Sequence, residues 1–380
     1  MITPLDDYPV HQTAQPLIVP ATSDRNFYDR FWFNGFVGDG SLYFSVAMGF
    51  YPNRHVMDGG ISVLVDGQQH CLHIAGALPL DRTQTRLGPL RVETVVPMRR
   101  HRVYVNDPEH GFEAELHFEA ATGAHEEVRQ ILTDGVQTSM DVTRVSQFGA
   151  WSGWLVIKGK RFELDPRVTN GTRDRSWGVR PCGEGEGKPH RWSSQFFFGW
   201  SQTFWPSYVQ HGMFFADKHG DLIIRSGARI PRVPRADTPV FARDTGETEA
   251  TPVEYQFDYI PGTRRLRHAV LRSRLANGEI AEIEYEPLVS FQMAGLGYGH
   301  PQWGHGCWKG EYAIGEETWR SNELDVSQPW LFHVQQVCRV TLNGKERTSG
   351  ILEHVALGPN TKVGFRELHD LAPGGLGGPA

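Results

Sequence analysis

The sequence predicts an all-β protein whose strands close into antiparallel barrels or sandwiches, two in tandem. Three observations predict it. Apolar and polar residues alternate with period two in several segments, tight Asp-Gly and Asn-Gly turns separate those segments, and no long window carries the i, i+3, i+4, i+7 apolar stripe of a helix. The number of bodies follows from size, since 380 residues exceed the roughly 100–200 expected of one domain.

Taken in order, residues 1–24 are rich in Pro, Thr and Asp without periodicity and read as an extended arm. From Phe27 the pattern is β. Ser41–Met48 reads as a strand, and Ile61–Ile74 is a hairpin around Asp66-Gly67. In Gly111–Glu119, Phe112, Ala114, Leu116 and Phe118 alternate with polar residues, giving one dry and one wet face. The same grammar returns around His219-Gly220-Asp221, Asn277-Gly278 and Asn343-Gly344. Pro181–His190 and Pro231–Pro252 read as loops. The bodies are expected at 25–170 and 171–365, followed by a flexible tail at 366–380.

Composition narrows the partners. The net charge of −6 comes with acidic and basic residues interspersed, so no basic footprint for nucleic acid is present. Cys71, Cys182, Cys307 and Cys338 form no CxxC pair, which argues against a disulfide scaffold or a structural zinc site. The N-terminus lacks a signal-peptide pattern and no apolar run is long enough to span a bilayer, so a cytoplasmic location without a transmembrane segment is expected. No GxGxxG, Walker A or GxSxG segment occurs, which leaves no expected cofactor.

The most distinctive segment is Gly171–Arg180. On a strand, Arg173, Arg175 and Trp177 share one face, while Asp174 and Ser176 share the other. Asp174 is thereby free to sit in a dry interior, where desolvation raises its pKa towards that of a useful general acid. The alternative is a buried Arg–Asp network that staples the two bodies together.

With Gly171, Asp174, Trp177 and Gly178, the segment resembles the G-x-x-D-x-x-W-G signature of the carotenoid hydratase/AttH-like superfamily, which includes kievitone hydratase and certain Diels–Alderases. Trp303-Gly304, Gly297–His300 and Gly350–Glu353 are similar to further parts of its pattern. The resemblance spans roughly residues 30–360 and implies two tandem lipocalin-like β-barrels. It also implies that Asp174 protonates an alkene, giving a carbocation that water captures. The hydratases carry a Tyr two residues before that Asp, where this chain has Thr172.

Other candidates surround this one. Gly297–Gly310 concentrates Tyr298, His300, Trp303, His305 and Trp308, with His300 or His305 as proton partner and the aromatics shaping a pocket. No third ligand stands at a diagnostic spacing from His300 and His305, so no metal is expected. Trp192, Phe198, Trp200 and their neighbours form the densest aromatic block and offer a wall for an apolar substrate, with His211 close behind. Glu353, in an apolar run, is a second acid or base. Together these predict an enzyme, a hydro-lyase or an isomerase/cyclase, acting on a hydrophobic isoprenoid-like small molecule. A non-catalytic carrier is the alternative, and association into a homo-oligomer is compatible with the sequence.

Overall fold

The tight turns have the backbone that their residues favour. Asp66 and Gly67 both take positive φ, 50° and 73°, as a two-residue hairpin between right-twisted strands requires. Asn343 and Gly344 do the same at 50° and 67°. The computed structural model describes residues 1–184, 195–232 and 245–373, and among these the only helices are short 3-10 turns.

The first body is a curled sheet. It contains β1 (Phe27–Val37), β2 (Leu42–Tyr51), β3 (Val56–Val65), β4 (Gln68–Ala77), β5 (Arg86–Leu87), β6 (Leu90–Val96) and β7 (Arg100–Asp107). It continues through β8 (Phe112–Ala120), β9 (His125–Glu126), β10 (Gln130–Asp134), β11 (Gln137–Ile157), β12 (Lys160–Leu164) and β13 (Thr169–Val179). The second body is a closed antiparallel barrel. Its eight strands are β14 (Phe196–Phe204), β15 (Tyr208–Ala216), β16 (Leu222–Pro231), β17 (Thr248–Tyr259), β18 (Leu266–Leu275), β19 (Ile280–Gln292), β21 (His333–Leu342) and β22 (Glu346–Leu357). This is the tandem lipocalin-like arrangement.

One strand crosses the expected boundary and another ties the halves together. β13 spans the boundary expected at residues 170/171 and pairs on both sides within the first sheet, with β1 and β11. β20 (Tyr312–Arg320) leaves the barrel and pairs with β4 at the edge of the first sheet. Among the described residues no helix is long and apolar enough to cross a membrane.

Burial follows the pleat. β8 alternates as predicted, with Phe112, Ala114, Leu116 and Phe118 buried inside the first sheet's curl. Phe197, Phe214, Tyr255 and Phe257 fill the barrel lumen with rings in contact. A third apolar layer joins the bodies, built from Trp32 and Phe36 of β1, Phe148 of β11, and Phe198, Trp200 and Phe204 of β14. Three expectations need revision or fall outside these residues. The loop expected through Pro252 ends earlier, because β17 starts at Thr248. Residues 371–373 pack instead of fraying, with Ala372 hydrogen-bonded to Gly262 and Thr263, while 374–380 lie outside the described residues. Most of the Gly-rich loop, and Trp192 with it, also lies outside them.

Candidate active site

A cavity of about 260 Å³ opens in the layer between the bodies, outside both the curl of the first sheet and the lumen of the barrel. Its position follows from alternation. On β14, Phe197 points into the barrel, whereas Phe198 and Trp200 point out of it and face the first sheet. On β22, Leu352 and Ala356 fill the lumen, whereas Glu353 and Val355 line the cavity. Asp174 enters from β13 on the opposite wall.

The surroundings of Asp174 agree in part with the pleat argument. Arg173 and Arg175 do turn away: Arg173 donates to His101 Nε2 at 2.8 Å inside the first sheet, and Arg175 pairs with Asp29. A third arginine, not foreseen, takes their place. Arg144 of β11 lies on the same face one register step away, since Ser146 is opposite Asp174, and its Nε stands 2.9 Å from Asp174 Oδ2. Asp174 Oδ1 has no hydrogen-bond partner among the described residues.

Arg144 is shared between two carboxylates. Glu127, fully buried behind the cavity wall, lies 3.6 Å from it and accepts hydrogen bonds from Ser146 Oγ, Trp200 Nε1 and Gln130 Nε2. Burial alone would raise its pKa. Arg144, His211 and Ser146 overcome that and hold Glu127 well below the usual carboxylate range. Asp174 lacks such a set of donors. Burial pushes its carboxyl up, with Arg144 and the Ser176 hydroxyl opposing. Two neighbouring carboxyls driven apart in this way are the arrangement by which one becomes a fixed anion and the other an acid.

A second polar group faces the cavity from the barrel. His333 Nε2 lies 2.7 Å from Glu353, which Gln335 also engages, and Gln335 is held by Tyr43 and Asn34. With Nε2–H donated to Glu353, His333 keeps its Nδ1 lone pair, and Nδ1 has no partner among the described residues.

The predicted residues divide cleanly. Asp174, Phe198, Trp200, Tyr298 and Glu353 share the cavity; His211, His300, Trp303, His305 and Trp308 do not line it. His211 sits behind Trp200, 3.2 Å from Glu127. His305 donates Nε2–H to Leu296 O and accepts at Nδ1 from Arg180; burial and the nearby Arg30 and Arg180 keep it neutral. Trp308 is exposed. Trp303 stacks on His73, 5.4 Å between ring centroids. Sequence reasoning missed Arg144, Glu127, Arg180 and His333. Reading β11 as a strand in register with β13 would have found Arg144.

His300 belongs to a separate cluster. Its Nε2 and that of His73 lie 2.9 and 3.3 Å from Glu317 Oε2 on β20. Two histidines and a carboxylate are the donor set of a divalent-ion site. The tautomer opposes that use. His300 Nδ1 accepts the backbone N–H groups of Gln302 and Trp303 at 3.0 and 2.9 Å, so the ring proton resides on Nε2, which then has no lone pair for an ion. The trio is a clasp that fixes the Gly297–Gly310 loop, and with it Tyr298, against β4 and β20.

The profile of a family described as "Family of unknown function (DUF8625)" matches residues 2–366, a span that contains every residue of the cavity and of the His73–His300–Glu317 cluster. The chain belongs to that family. No curated protein matches this DUF8625 chain by sequence. Among solved structures it is similar to a protein described as AttH from Nitrosomonas europaea, at 13% identity and a TM-score of 0.48, over 89% of this chain and 98% of that one. It is also similar to kievitone hydratase from Nectria haematococca, at 13% and 0.49 over 90% and 93%. A third is CghA in complex with Sch210972, at 13% and 0.49 over 88% and 89%. AttH and kievitone hydratase are names of the group that the Gly171–Gly178 segment resembles.

Proposed function

We propose that the chain is an enzyme that protonates a carbon–carbon double bond of a hydrophobic, polyene-like or polycyclic small molecule, followed by addition of water or ring closure. The observation that carries this reading is the division of labour around Arg144: Glu127, with its three further donors, is held well below the usual carboxylate range, whereas Asp174, with an oxygen unpartnered among the described residues, is pushed up by burial. Asp174 would deliver that proton to the alkene. The resulting carboxylate would find Arg144 already in place at 2.9 Å, so charge appears where it is stabilised. The carbocation would rest against the faces of Trp32 and Trp200.

His333 would complete the cycle. In hydration, water attacks the cation and His333 Nδ1 takes the released proton; in isomerisation or ring closure, the same nitrogen removes a proton from carbon. Return of a proton to Asp174 restores the starting state, and the net change is addition of water or none.

A carrier reading has one observation in its favour: Arg144 Nε stands 2.9 Å from Asp174 Oδ2, and as an ionised pair the two would pin the cavity wall without chemistry. Asp174→Asn separates the two. The acid reading expects turnover of a co-purified hydrophobic substrate to fall by about 10²–10⁴-fold with affinity retained. Unchanged turnover, or loss of binding together with loss of fold, would favour the pin.

A further inference from the structure

The cavity has a third polar element that the acid–base reading does not use. Arg180, just past the end of β13, lines it together with Tyr298. Its guanidinium lies over the rings of Tyr28 at 4.3 Å and Tyr298 at 5.6 Å, and its polar contact is with neutral His305 at 3.1 Å. Its Nε is buried without a partner, and among the described residues no carboxylate pairs with it. Asp58, the nearby buried carboxyl, answers Arg30 more strongly than Arg180 and is occupied by Gly306 N and Tyr51 Oη. Glu353, across the cavity, is engaged by His333 and Gln335.

A half-buried guanidinium that lacks a counter-ion among the described residues is costly, and aromatic faces compensate only in part. The Tyr298 hydroxyl also has no partner among the described residues. A cation and a tyrosine, 5.6 Å from guanidinium carbon to ring centroid, thus line a chamber whose other walls include Phe196, Phe198 and Phe215. That is the layout of a site for an amphiphile: apolar body, one fixed polar head.

We propose that the molecule bound here carries an anionic oxygen group on its aromatic or polycyclic body, and that Arg180 and the Tyr298 hydroxyl hold that oxygen. The proposal rests on this cavity being the substrate site and narrows the substrate class: an unfunctionalised hydrocarbon would leave Arg180 uncompensated. Arg180 is then a specificity residue that fixes the substrate's register against Asp174.

Two fluorescent probes test it on the full chain. 8-Anilinonaphthalene-1-sulfonate and N-phenyl-1-naphthylamine share one aromatic skeleton, and only the first carries an anionic group. The wild type should bind the sulfonate about ten-fold or more tightly than the amine, with energy transfer from the cavity tryptophans. Arg180→Met should remove the preference while leaving amine affinity unchanged, and Arg180→Lys should retain most of it. The arginines at the open end of the first sheet, Arg82, Arg86 and Arg91, offer the sulfonate a competing place, so Arg91→Gln serves as control and should leave the preference intact. Equal affinities in the wild type, a preference that survives Arg180→Met, or one abolished by Arg91→Gln would overturn the proposal. Asp174→Asn should keep the preference whether or not Asp174 is the acid, so failure of one reading is distinguishable from failure of the other.

Discussion

Asp174 and Glu317 are both carboxyls beside positively charged or proton-donating groups, yet their surroundings drive them in opposite directions. Glu317 receives hydrogen bonds from His300 and His73 on one oxygen, which lower its pKa to about 2 against the effect of its partial burial. Asp174 has one shared arginine, an orphan oxygen and a drier position, and its pKa moves up. Proximity to a cation therefore does not by itself lower a carboxyl's pKa. What decides is how many donors aim at it and whether another carboxylate has the prior claim on the cation. One cluster is a clasp; the other holds the proposed reagent.

The largest effect should come from upsetting that prior claim. Glu127→Gln would leave Asp174 as the remaining carboxylate beside Arg144, drawing the Asp174 pKa down. Turnover should fall by about ten-fold or more at neutral pH, and the alkaline limb of its pH profile should move to lower pH. An unmoved profile would show that Glu127 is a bystander. Loss of the buried pair should also lower stability, by about 3–5 kcal/mol in denaturant unfolding.

The clasp should respond in stability and not in chemistry. Because the folded-state pKa of Glu317 lies below its ordinary 4.5, its contribution is present above that value and is lost as pH falls towards about 2. Glu317→Gln should cost on the order of 1–2 kcal/mol near neutral pH, after allowance for partial exposure, and should flatten the stability profile between pH 4.5 and 2. Asp174 has the opposite sign: with its folded-state pKa raised, the protonated form favours the native state, and that contribution is lost as pH rises through the folded value. Asp174→Asn should accordingly leave stability at neutral pH unchanged or improved. The smallest effect concerns metal. With the His300 proton on Nε2, zinc or EDTA should shift the Tm of the wild type by no more than they shift that of His300→Gln; a zinc-dependent rise confined to the wild type would refute the clasp.

The contrast also marks what the sequence could reveal. Local rules were legible: the paired positive φ values at Asp66-Gly67, the dry face of Phe112–Phe118, and the side of β13 on which Asp174 lies, because each depends on neighbours in sequence. The register that brings Arg144 beside Asp174 joins residues thirty apart and is set by pairing of β11 with β13. Phe196–Trp200 is apolar on both faces, so sequence alone did not reveal which face looks into the barrel lumen and which into the cavity. His300 drew notice through its glycine-rich setting, whereas His333, which lines the cavity, sits at the start of β21 with no local motif.

The most direct measurement is titration of the Asp174 carboxyl itself, by NMR of protein carrying ¹³C at aspartate side-chain carboxyls, with Asp174→Asn to assign the resonance. A midpoint clearly above the ordinary aspartate value of about 4, falling in Glu127→Gln, is the predicted result. A midpoint at or below that value would mean that Arg144 belongs to Asp174 after all, and that the pair holds the two bodies together instead of passing a proton.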